Sequence, residues 1–460
     1  MTAFEDLNRS IMKGASFLEN TPFGMVTPSE YSGWRDEILA SEKTAYFGTS
    51  LMMSPVYDVS GPDVAEFFNR ICINKFSKLK VGGIRHAVLC NDQGQIMTDS
   101  VVAKISEDTF RTYWLQPCIQ FLVEKFSNEY DITGKDMSGK DFFFQIAGPK
   151  SYDIVADAIE DKAQLDELKF AKHDVFTISG KKTRILRMSM TGTLAYELHG
   201  DIADADEIYN ILWKIGQKFG MRKLGSAYLL SHTPGGMPNI MMHYPMPWFE
   251  SESGTYEGFS EFLQGNMLAV ANQKRELRGS VGDELATRFV TPYDVGWGNL
   301  IKFTHDFPGK QALEDLRDHP EKQRHVVTLE WNSKDIADVY QSQFEGPEVE
   351  PYDLIDENPV DYGAVFPNSD GFVYHADKVF DGSNEVGISV GRTVVPYYHR
   401  MISLGFVSGD TKFGKELTIL WGDPQHRQKK LRAKVSYYPY IGQGESQRDK
   451  TSPASISKNR

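Results

Sequence analysis

Cysteine is nearly missing from this sequence: three residues in 460, at Cys72, Cys90 and Cys118. The number is odd and no two stand in a C-x-x-C spacing, so neither a disulfide framework nor a zinc site is indicated, and a reducing compartment fits best. Long apolar runs are missing as well. No stretch reaches the roughly 18 apolar residues of a membrane span, and Met1 to Asn20 mixes acids with Arg9 and Lys13. Neither secretion nor membrane insertion is expected, and a cytoplasmic location is. Basic charge is also short, with 50 Lys and Arg against 63 Asp and Glu and a net charge of −13. A nucleic-acid partner is therefore not expected, because such binders need a basic patch to displace counterions. The 11 histidines are scattered without an H-E-x-x-H or another close ligand pair, so no catalytic metal is expected.

What is present is globular. Hydrophobic residues make up 40% and charged residues 25%, enough for most of the chain to fold. The length allows two or three cores.

The clearest local signal is a hairpin after Arg85-His86: Ala87-Val88-Leu89-Cys90, a turn at Asn91-Asp92-Gln93-Gly94, then Ile96 to Ile105. Two segments echo each other. Val59-Ser60-Gly61-Pro62 opens a helical pattern through Val64, Phe67, Phe68 and Ile71, and Ile146-Ala147-Gly148-Pro149 opens one through Tyr152, Ile154, Val155 and Ile159. Proline suits the first helical turn, where its missing N–H costs nothing. The echo predicts a duplicated strand-then-helix unit and paired α+β subdomains. Ala203 to Phe219 predicts a helix with one apolar face ending at Gly220.

From Asn239 to Leu285, aromatic residues including Tyr244, Trp248, Phe249, Tyr256 and Phe259 alternate with Gly and Ser. That composition predicts a lid or binding loop. After Pro320 come short β-like runs, His325–Trp331, Glu385–Val390, Met401–Val407 and Leu417–Trp421, which predict a separate β domain over 321–441. The tail, 442–460, reads as disordered.

Three stretches resemble the aminomethyltransferase family, founded on the T-protein of the glycine cleavage system: Gly94-Gln95-Ile96-Met97-Thr98-Asp99, Arg187 through Glu197, and Thr291-Pro292-Tyr293-Asp294-Val295-Gly296-Trp297-Gly298. The third continues to Asp306-Phe307-Pro308-Gly309-Lys310, read as a structural turn against the first region. The length, the aromatic insertion and the phrases Val327–Asn332 and Leu417–Gly422 look most like the folate-dependent O-demethylases of vanillate and syringate, with a neighbouring relative that opens the methylenedioxy ring of sesamin. The resemblance implies an α+β, three-domain ring-like fold ending in a β-barrel-like domain, with residues 1–320 forming the folate-binding region. It further implies that tetrahydrofolate is the cofactor and a small aromatic molecule the substrate.

Carried onto this sequence, the resemblance implies a role for Asp99 beside the reactive folate nitrogens, where a carboxylate accepts a hydrogen bond or a proton. Glu197 would grip the donor edge of the pterin ring. The family's tyrosine seven residues before that glutamate is Met190 here, so a polar contact becomes apolar. Tyr228 falls where the demethylases carry a catalytic tyrosine, and a phenol of pKa about 10 is matched to a departing aryl oxide.

Aligned through Trp34-Arg35 and Gly61, the demethylases' glutamine and histidine fall on Ser50 and Met53, and their carboxylate-clamping arginine on Leu115. Without that arginine an aromatic acid would leave its carboxylate unpaired. The expected substrate is therefore a neutral aryl ether, lined by Ser50, Met53, Leu115 and Trp248, with Met52, Trp114, Tyr244 and Phe249 as further candidates. Ordinary core packing accounts equally well for the apolar members. O-demethylation to 5-methyltetrahydrofolate leads. Methylene transfer to 5,10-methylenetetrahydrofolate and non-catalytic folate binding are the alternatives.

Overall fold

The computed structural model describes residues 3–20, 26–49, 52, 54–189, 192–225, 238–240, 242–355 and 371–441. The predicted tail, 442–460, lies outside them.

Two sheets carry the first half. A five-stranded antiparallel sheet runs in the order Ile84–Cys90, Ile96–Lys104, Thr109–Tyr113, Val56–Ser60, Thr133–Asp136. A six-stranded sheet runs Lys172–Ile178, Lys181–Arg187, Ala195–Asp201, Asp141–Ala147, Tyr46–Gly48, Arg222–Leu224, with only the last pair parallel. Side chains alternate across a strand, so each sheet has two distinct faces. Phe142, Phe144, Ile146, Tyr196 and Leu198 of the second sheet pack outward on the helices Ala3–Met12, Ser151–Ala158 and Ala205–Gln217. Its other face meets the first sheet. There Phe143, Leu186 and Met188 join Val56, Ile84, Ala103 and Tyr113 in one apolar cluster.

The sequence echo is structural. The strand Val56–Ser60 leads through Gly61 to the helix Val64–Ile71, and Asp141–Ala147 leads through Gly148 to Ser151–Ala158. Gly61 and Gly148 both have positive φ, +144° and +135°. A Cβ at Gly61 would lie 2.0 Å from the Asp131 carbonyl oxygen, and one at Gly148 2.6 Å from that of Thr44. Only glycine permits these approaches.

The C-terminal strands close into a six-stranded barrel in the order Val373–Asp381, Asn384–Val395, Arg400–Ser408, Arg324–Trp331, Lys429–Ser436, Glu416–Trp421, with the last pairing back on the first through Val379 and Ile419. Closure removes the sheet edges that would otherwise need covering.

The aromatic insertion is not a surface lid, as its composition predicted. Tyr244, Met246, Trp248, Tyr256, Phe259 and Leu263 are buried in the same core as the hairpin and the helix Cys118–Phe126. The insertion's strand Glu276–Arg278 also pairs in parallel with Val373–His375 at the barrel edge. Its aromatic rings supply the apolar area that a mobile lid would leave exposed. Trp248, 1% exposed, donates its indole N–H to the Met97 carbonyl at 2.8 Å. Trp248→Ala is expected to cost about 3–5 kcal/mol, and Trp248→Phe about 1–2 kcal/mol for the lost N–H bond and area. Urea unfolding of the protein without ligand checks both values, and a Trp248→Ala loss under about 1 kcal/mol would show a side chain that is not part of the core.

Candidate functional site

Asp99 stands on the second strand of the hairpin, paired with Val88. Period-2 alternation puts it on the face of Val101 and Ala103, the face turned to the other sheet. Its two oxygens have different partners. His86 Nε2 lies 2.7 Å from Oδ2, and the Tyr244 hydroxyl donates to Oδ1 at 3.3 Å. His86 is in turn met edge-on by Trp297, with ring centres 4.6 Å apart.

Glu197 rises from the facing surface of the six-stranded sheet. It pairs with Gln145 on one side and with Leu186, a member of the inter-sheet cluster, on the other. Glu197 is 2% exposed and among the described residues receives one long hydrogen bond, Gln145 Nε2 to Oε1 at 3.5 Å. Gln145 is itself aligned by the Tyr46 hydroxyl, which donates to Oε1 at 2.7 Å. His199 Nε2 stands 3.8 Å from Glu197 Oε2, beyond hydrogen-bonding distance, and has no hydrogen-bond partner among the described residues. Burial first, then the charges of Arg111, Arg184 and His173, push the His199 imidazole well below its usual pKa. The neutral ring therefore forms no ion pair with Glu197. Desolvation pushes the Glu197 carboxyl up to about 8.

When ionised, the Glu197 carboxyl has four acceptor positions and only the weak Gln145 donor among the described residues, which leaves capacity for a ligand that presents paired N–H groups. The orphaned His199 nitrogen adds a second polar position beside it. These residues fit the donor edge of a pterin.

Two contacts tie the facing sheets together. The Tyr113 hydroxyl meets His199 Nδ1 at 3.0 Å, and Arg111 bonds Asp58 through Nε (2.8 Å) and Nη2 (2.9 Å) and Asp141 through Nη1 (2.6 Å). Asp58 and Asp141 belong to different sheets.

Of the residues singled out in the sequence, Asp99 and Glu197 both lie on the facing surfaces. Ser50, Met53, Met190 and Tyr228 lie outside the described residues. Leu115 is fully buried in the core that also holds Trp248. Met52 packs against the inter-sheet cluster and accepts the Phe143 N–H on its sulfur at 3.0 Å. Trp114 donates to Ser54 Oγ at 2.6 Å.

Sequence reading passed over His86, Gln145 and His199. Two of these carried a usable signal: His199 is two residues beyond Glu197 on the same strand face, and His86 faces Val101 one alternation from Asp99. Gln145 carried none before the register of the sheet was known.

The Glu197 environment has a pH signature. Between the ordinary glutamate pKa and about 8, the folded chain holds a proton that the unfolded chain has released, so stability falls as pH rises across that window. Glu197→Gln removes this dependence. Thermal unfolding is expected to show the variant gaining on wild type from about pH 5 upward and levelling above about 8. A gap that does not change with pH would contradict the assignment.

Comparison with known proteins agrees with this architecture. Residues 8–231 match the GCVT N-terminal domain. The sesamin methylene transferase of Sinomonas sp. (strain No.22) is 46% identical over 96% of this chain and 95% of its own. The syringate O-demethylase of Sphingobium sp. (strain NBRC 103272 / SYK-6) is 28% identical over 90% and 89%. The crystal structure of glycine cleavage system aminomethyltransferase T from Bartonella henselae superposes with a TM-score of 0.64 at 15% identity, covering 95% of this chain and 98% of that one, a likeness of fold. By sequence match along nearly its whole length and by its fold, the chain belongs to the aminomethyltransferase family.

Proposed function

We propose that this enzyme moves a one-carbon unit from a neutral aromatic ether to tetrahydrofolate, and that the unit is the methylene of a methylenedioxyphenyl group. The observation that carries the reading is the pair of carboxyls, Asp99 and Glu197, on the facing surfaces of the two sheets. The 46% identity to a protein named for methylene transfer from sesamin ranks this above O-demethylation, which the 28% identity to a syringate O-demethylase keeps as the second reading.

When bound, tetrahydrofolate supplies the nitrogen nucleophiles that take the carbon from oxygen, yielding 5,10-methylenetetrahydrofolate and a catechol. The protein's residues have separate tasks. Glu197 accepts the pterin's paired N–H donors, which replace the solvation its burial removes. Two C–N bonds form as two C–O bonds break, so two protons leave nitrogen and two reach the catechol oxygens, and Asp99 accepts one of the released protons. Tyr228 donates to the departing aryl oxide. Met190 replaces a polar pterin contact by an apolar one. Ser50 and Met53 meet the substrate, while Leu115 and Trp248 form the apolar wall behind it. With Leu115 in the place of an arginine, nothing at that position pays for burying a substrate carboxylate.

Anaerobic incubation with tetrahydrofolate and sesamin, a neutral methoxyarene or syringate, with folate products separated by mass, tests the reading. Sesamin is expected to give 5,10-methylenetetrahydrofolate, with syringate at least about a hundredfold slower in kcat/KM for its unpaired carboxylate. 5-Methyltetrahydrofolate from the methoxyarene, with sesamin inert, would replace the proposal by O-demethylation. Turnover of syringate as fast as the neutral ethers would refute the neutral-substrate argument.

A further inference from the structure

We propose that Tyr244 and His86 are positioning residues for Asp99, holding one carboxylate oxygen each and thereby aiming the remaining acceptor positions of Asp99 into the site. The inference rests on the reading that Asp99 meets the folate.

An ionised carboxylate only accepts hydrogen bonds, so both neighbours must be donors. His86 then donates its Nε2–H to Oδ2 at 2.7 Å, which fixes its tautomer, and the Tyr244 phenol donates to Oδ1 at 3.3 Å. Burial, and next the charge of Asp99, raise the Tyr244 phenol well above its usual pKa, so it remains a donor throughout the working pH range.

Each donor is held from a different part of the chain. His86 lies on the neighbouring strand, with its ring against the edge of Trp297 in the segment Thr291 to Gly298. Tyr244 comes from the insertion, 145 residues away from Asp99. A tight turn sets it: the His243 N–H bonds the Asn239 carbonyl at 2.9 Å, the Asn239 N–H bonds His243 Nδ1 at 2.8 Å, and Ile240 bridges to Tyr244. Four residues on, Trp248 is bonded to the Met97 carbonyl, two residues before Asp99 on the same strand. The carboxylate therefore cannot rotate without breaking a part-buried hydrogen bond. Fixing an acceptor in advance removes an ordering cost that ligand binding would otherwise bear.

A double-mutant cycle on tetrahydrofolate affinity, read by quenching of tryptophan fluorescence in the full-length protein, separates aiming from packing. Tyr244→Phe keeps the ring and removes the hydroxyl. It is expected to weaken tetrahydrofolate about tenfold in the wild-type background and by less than about twofold beside Asp99→Asn. Equal losses in both backgrounds, or no loss in either, would overturn the proposal. His86→Leu carries the same cycle if Tyr244→Phe does not fold, and His86→Gln, which restores an N–H donor, is expected to recover part of the affinity. Asp99→Asn alone with unchanged affinity would instead remove Asp99 from the folate contact, a failure of the underlying reading. An effect of Asp99→Asn with Tyr244 and His86 both silent would sink only this inference.

Discussion

The fold depends on how two sheets face each other across a surface that is partly polar. Arg111 is the fastening. Its guanidinium is shared between Asp58 of one sheet and Asp141 of the other, and the charge of these partners raises an already high pKa further against the effect of burial. The group and both its partners are part-buried, so removing one carboxylate is expected to cost less than the about 3–5 kcal/mol of a fully buried pair. Around this joint the apolar cluster of Val56, Ile84, Tyr113, Phe143 and Leu186 excludes water. That dry surroundings is what makes Glu197 unusual. The same burial that closes the sheets leaves its carboxyl poorly solvated and raises its pKa.

The insertion is joined to the rest of the fold at both ends. It is stapled along the hairpin by side chains: Ser251 to Asn91, Trp248 to the Met97 carbonyl, and Tyr244 to Asp99. At its far end the buried Arg288 bonds the carbonyls of Tyr374, Arg278 and Gly282, which joins the insertion to the barrel. A segment held at both ends by buried hydrogen bonds acts as part of the scaffold. On the proposed reading, Asp99 is placed by this anchored insertion through the Tyr244 hydroxyl.

Local pattern made much of the fold legible. It found the hairpin and four of the six barrel strands, missing Val373–Asp381 and Lys429–Ser436, and the Gly-Pro echo found both strand-to-helix turns because glycine alone tolerates those backbone approaches. The signature around Gly309 also reads correctly as a structural turn. Its φ is +80°, and a Cβ there would lie 2.4 Å from the Asn91 carbonyl oxygen. The insertion misled for a physical reason: Gly and Ser between aromatic residues resemble a loop locally, and its burial comes entirely from contacts distant in sequence. Tyr244, one of the two donors to Asp99, was hidden in the same way, 145 residues away. Asp99 and Glu197 themselves were singled out through family resemblance alone, since nothing local distinguishes one carboxylate on a strand from another.

On the reading proposed above, tetrahydrofolate binds at the facing surfaces of the two sheets, with Glu197 at the pterin and Asp99 at the reactive nitrogens. A crystal structure of the protein with tetrahydrofolate tests it most directly. The account predicts paired hydrogen bonds from the pterin edge to the Glu197 carboxylate at about 2.7–2.9 Å, with Asp99 beside the reactive nitrogens and still bonded to His86 and Tyr244. A pterin ring bound elsewhere, with Glu197 left in contact with Gln145 alone, would contradict it.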